Sequence, residues 1–129
     1  MKLMTTLYRV TTIRTAELIA AVGKDPDTEI TGSELNQLVK EKFGPLAPRF
    51  RIFVPPDSSV TKTIVGCEAM CFDVPEANVP MAGLVMVDPM EPKDVDRIDG
   101  AIESELNRLG LGTEWQGYEW RFYFRTLGN

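Results

Sequence analysis

The sequence predicts an α+β domain: a two-layer sandwich with a mostly antiparallel or mixed sheet of about five strands and helices on one face, ferredoxin-like in spirit. Two stretches, Arg49 to Val54 and Tyr118 to Thr126, alternate apolar and polar residues with the period of a half-buried strand. Two others, Thr31 to Gly44 and Asp94 to Gly110, repeat apolar residues with helical spacing and end in glycine. The order β-α-α-β-β-β-α-β interrupts antiparallel-friendly strands with two helical blocks, which favours helices gathered on one side.

Met4 to Ile13 is rich in Thr, Val, Tyr and Ile, whose branched or aromatic side chains fit a pleated surface, and reads as the first strand. Ala16 to Val22 is a short helix stopped by Gly23 and the turn Lys24-Asp25-Pro26-Asp27. Thr31 and Glu34 have capping-box spacing, and Ile30 is placed to pack on Leu35 as a hydrophobic staple. Leu35, Leu38, Val39 and Phe43 share a face of this second helix, and Gly44-Pro45 ends it. In the next strand Phe50, Ile52 and Val54 oppose Arg49, Arg51 and Phe53.

Pro55 to Ser59 breaks the chain before Val60 to Val74, a long strand expected to bend or bulge near Gly66. Gly83 to Val87 is continuously apolar, as a strand buried on both faces would be. The proline-spaced turn Asp88 to Pro92 leads from it into a helix with the stripe Val95, Ile98, Ile102, Leu106 and Leu109. Asp94, Asp96, Asp99, Glu103, Glu105 and Arg108 are expected to turn away from that stripe. The last strand sets Tyr118, Trp120, Phe122 and Phe124 against Glu119, Arg121, Tyr123 and Arg125.

One domain, 1–129, accounts for the 129 residues, and a 43% hydrophobic, 26% charged composition is that of a chain with a core. No apolar run approaches the ~18 residues of a membrane span, and the first residues lack the apolar core of a signal peptide, so the reading is cytosolic with no membrane partner. The net charge of -5 argues against general attraction to nucleic acid, while leaving room for a local basic patch. There is no histidine, which removes the commonest general base and the commonest metal ligand together. The phosphate-loop, dinucleotide, serine-hydrolase and zinc-protease signatures are absent as well.

Cys67 and Cys71 on one strand would stand ~13 Å apart, too far for a disulfide, and without histidine they make a poor zinc site and poor nucleophiles. Both read as core residues. Asp88, Glu91, Asp94, Asp96 and Asp99 suggest a cation site at first sight, but acids before and within a first helical turn are what the helix dipole favours. No catalytic, metal or cofactor residue is therefore assigned, and catalysis is not expected.

The favoured function is surface binding by a small acidic protein, an adaptor, subunit or inhibitor of viral or mobile-element type, meeting a protein partner through the acidic helix face of Asp94, Asp96, Asp99 and Glu103. The alternative is a nucleotide or single-stranded nucleic acid module whose anion site is a sheet face bearing Arg9, Arg51, Arg121, Tyr123 and Arg125. Self-association is a further expectation, because Trp115-Gln116-Gly117-Tyr118 places aromatics where they serve an interface as readily as a core.

Overall fold

In the computed structural model, which describes residues 2–74, 92–111 and 117–127, the β-branched opening run becomes strand β1, Lys2–Arg14. It passes without a loop into helix α1, Thr15–Ala21. The junction is held from the side: the Thr15 N–H donates to the Thr61 carbonyl at 2.9 Å, and the buried Thr15 and Thr63 hydroxyls bond at 2.8 Å. Helix α2, Gly32–Phe43, begins as its sequence requires, with the Thr31 hydroxyl accepting from the Glu34 N–H at 3.2 Å. It ends at Gly44, whose φ of 69° favours glycine.

Strands β2, Phe50–Phe53, and β3, Lys62–Val74, follow, then helix α3, Pro92–Arg108, and strand β4, Glu119–Leu127. The four described strands form one antiparallel sheet in the order β2-β3-β1-β4, so the fold is α+β. The apolar run Gly83–Val87 and most of the Asp88–Pro92 turn lie outside the described residues. Among those described, β1 and β3 are the central strands.

Register explains which side chains meet. Phe50 stands opposite Cys67, Cys67 opposite Arg9, and Arg9 opposite Trp120, a row that faces the helices. Phe50, Val65, Cys67 and Ile13 of this face pack with Leu18 and Ile19 of α1, Leu35 and Val39 of α2, and Ile102 and Leu106 of α3, so all three helices share one core. The other face carries Arg51, Phe53, Gly66, Tyr8, Val10, Arg121 and Tyr123. It has a small apolar centre of its own. The Phe53 and Tyr123 rings stack with centroids 4.4 Å apart, and Tyr8 meets each edge-on at 5.3 Å. Val10 is fully buried on this side.

The irregularity expected near Gly66 falls three residues further on. The β1–β3 register passes from Leu7 opposite Met70 to Tyr8 opposite Glu68, so Ala69 is the extra residue of the bulge. Gly66 itself is required by close approach, because a Cβ there would lie 2.2 Å from the Arg9 carbonyl oxygen and 2.7 Å from Val10 Cγ1.

Candidate functional site

Helix α3 sorts its acids by angle. At about 100° per residue, Asp96 and Glu103 fall within roughly 20° of each other, with Asp99 beside them and Asp94 on the opposite flank. Asp96 and Glu103 are exposed and have no ion-pair partner among the described residues. Asp94 pairs with Arg97 one turn on, at 3.4 Å. Asp99 turns toward the sheet and accepts from Arg9 Nε at 2.8 Å and Nη2 at 3.3 Å. The structure thus brings Asp96, Asp99 and Glu103 to one flank and leaves Asp94 on the other.

Arg9 belongs to this flank and not to the arginine-bearing sheet face. Its position in β1 points it at the helix layer, where the guanidinium lies 4.9 Å from the Trp120 ring centre and 5.6 Å from that of Tyr118. Tyr118 also donates its hydroxyl to the Asp99 carbonyl at 3.4 Å. The Asp99 carboxylate and two aromatic rings thus enclose one cation, which fixes α3 against the β1–β4 pair.

Arg51, Arg121 and Tyr123 do share the opposite face. Arg121 is held by Glu119 two residues earlier, with Nη2 2.8 Å and Nε 2.9 Å from Oε1. Arg51 donates to the carbonyl of Phe50 at 3.3 Å, and the Tyr123 ring is stacked on Phe53. Arg125 stands opposite Met4 at the same parity as Arg121; its side chain lies outside the described residues, as does that of Cys71.

Glu105 corrects the sequence reading. It was expected to turn away from the core with the other acids of α3, and its side chain is only 3% exposed. The reason is a backbone group in need of a partner. The loop after α2 brings the Ala47 N–H against α3, where the Glu105 carboxylate accepts from it and from Arg108 Nε and Nη2. Arg108 also donates to the Phe43 and Pro45 carbonyls at 3.4 and 3.3 Å. The bond from Arg108, then that from Ala47, holds the Glu105 carboxyl below its ordinary pKa against the opposing effect of burial. A glutamate three residues before an arginine is the only trace of this in the sequence, and it is equally the mark of a solvent-facing helix pair.

Cys67 is buried in the core row, and burial, reinforced by the Glu105 charge, pushes its thiol up to about 11. A depression of about 990 Å³ lies at another place, between the start of α1, the start of α2 and the 57–62 loop. Its polar walls bond one another: Ile30 N–H donates to Ser58 Oγ at 3.1 Å, and Ser58 N–H to the Ile30 carbonyl at 3.0 Å. Among the described residues no three His, Cys, Asp or Glu side chains converge, and no helix is long and apolar enough to cross a membrane.

No protein-family model, curated protein or solved structure matches the chain. Its class rests on its own topology: an α+β arrangement of an antiparallel sheet and a helix layer.

Proposed function

We propose that the chain works by occupying a partner protein's surface, as a cytosolic adaptor, subunit or inhibitor, through the α3 flank that carries Asp96, Asp99 and Glu103. The observation that carries this is the contrast in how the charges are used. Arg9, Asp99, Glu105, Arg108 and Arg121 are tied to partners within the chain, whereas Asp96 and Glu103 stand exposed and unpaired among the described residues. Unpaired like charges beside a rigid helix suit a basic partner, because they steer its approach and need no reorganisation on contact. The fixed Arg9–Asp99 pair beneath them supplies that rigidity.

The same proposal includes the finer architecture. With α1 and α2 together spanning the first crossover and α3 the second, the strand order β2-β3-β1-β4 suits a ferredoxin-like sandwich. An anion site on the far sheet face draws less support: Arg9 is not on it, Arg121 is already paired, and its rings are stacked on one another.

The test is capture from a host lysate by immobilised protein, wild type beside an Asp96→Lys, Glu103→Lys double variant, at low and at high salt. Wild type retains specific proteins at low salt and releases them at high salt, and the double variant retains none of them. Identical captured sets, or no captured protein for wild type, overturn the proposal.

A further inference from the structure

The depression of about 990 Å³ between the starts of α1 and α2 and the 57–62 loop has two walls of opposite charge. One wall is the end of the β1–β3 pair. Arg14 and Lys62 stand opposite each other there in register, and the bond from the Thr15 N–H to the Thr61 carbonyl ties the two segments together. The other wall is the 27–34 segment with Asp57. Ile30 and Ser58 exchange two bonds, Thr31 is bridged to Asp57, and the Thr31 hydroxyl caps the helix at Glu34. Asp27, Glu29, Glu34 and Asp57 are thereby gathered on that side, and the buried Ile19 and Ile30 give the depression apolar lining.

The charges of the two walls do not meet. Arg14, Lys62, Asp27, Glu29 and Glu34 are exposed, and none has an ion-pair partner among the described residues. Elsewhere the chain pairs its arginines, since Arg9, Arg97, Arg108 and Arg121 each hold a carboxylate. Unlike charges that line one depression without touching leave a gap for a molecule that carries both signs. We infer that this molecule is a short basic peptide with a free C-terminal carboxylate, which meets Arg14 and Lys62 while its basic side chains meet Asp27, Glu29 and Glu34.

A carboxylate suits the first wall because an arginine offers it a two-pronged donor and a lysine adds a point charge beside it. The lining holds four carboxylates against two cations, so it selects a ligand whose positive charges outnumber its single negative one. Thr28 and Thr61 add hydroxyls, which donate or accept as a peptide backbone requires. The volume lies at the upper end of the ~300–1,000 Å³ usual for small-ligand sites and admits a tripeptide, about 10 Å long when extended. The depression shares no residue with the acidic α3 flank, so this inference stands apart from the proposed function.

The test is titration of the isotope-labelled chain with trilysine, followed by its amide resonances, beside trilysine amide, which lacks the carboxylate. Trilysine gives saturable shifts at residues 14–16, 27–34 and 57–62 with a Kd below about 1 mM, and the amide binds about tenfold more weakly. This comparison needs no variant of the protein. In an Arg14→Gln, Lys62→Gln double variant the preference for the free carboxylate disappears, and in an Asp27→Asn, Glu34→Gln double variant both peptides bind at least about fivefold more weakly. Absence of saturable shifts up to about 10 mM peptide, equal affinity for the two peptides on wild type, shifts confined to α3, or a preference that survives loss of Arg14 and Lys62 overturns the inference.

Discussion

Replacing Glu105 with Gln tests whether one inward-turned carboxylate holds the α2–β2 loop to α3. The substitution keeps the size of the side chain and removes its charge. The buried bond from the Ala47 N–H becomes neutral, and the amide nitrogen is set near the guanidinium of Arg108. The Arg108 side chain is 45% exposed, so its ion pair contributes about 0.5 kcal/mol, and most of the effect comes from the buried N–H and the displaced charge. Together they give a loss of about 2 kcal/mol, or about 8 °C in Tm for a chain of this length. The pH dependence is the sharper signature. The folded-state pKa of Glu105 lies below its ordinary 4.5, so its contribution is fully present above that value and disappears as pH falls through the folded pKa. Urea unfolding of wild type and Glu105→Gln therefore separates the two at about pH 7, and the gap narrows as pH falls below 4.5 and through the folded pKa. A difference under about 0.5 kcal/mol at neutral pH, or one that persists undiminished in acid, refutes the account.

Gly66→Ala forces a methyl into the Arg9 backbone and costs about 3 kcal/mol or prevents folding, whereas Gly100→Ala, in open space on α3, raises stability by about 0.8 kcal/mol; thermal melts of the two variants check the contrast. Cys67, its thiol held up to about 11, resists thiol reagents at pH ~8 in a Cys71→Ser background until denaturant is added; labelling of the native protein at the rate of a free thiol contradicts its placement in the core.

Local chemistry is legible in this sequence wherever one segment decides its own conformation. Thr31, Glu34 and Gly44 delimit α2 because capping is a matter of a few adjacent residues, and β4 declares itself by alternation because only one of its faces carries the aromatic row. Strand β1 does not declare its faces, since Leu7, Thr11 and Ile13 are buried on the helix side and Thr6, Tyr8 and Val10 on the other. Nothing in its pattern tells which side Arg9 takes. Glu105 escapes for a related reason. Its burial answers a backbone N–H at Ala47, a group that sequence does not display and that only the packing of a loop on α3 brings near. The contrast between Asp96 and Asp99, one exposed and one bound, likewise depends on Arg9 arriving from a strand 90 residues away.

That distance has a consequence for how the molecule comes into being. The strand that appears first in the chain, β1, lies between β3 and β4, so both of its neighbours are made long after it. A nascent chain holding only β1, α1 and α2 has no strand that pairs with β1, and the partner on its far side is the last of the described strands to emerge. Loop closure must precede most of the sheet's hydrogen bonds, which places folding among slow, non-local topologies, on a scale of ~ms to s. Until β4 docks, the Thr-rich β1 presents an open edge, and the interval between its synthesis and that docking is when the chain is most exposed to mispairing.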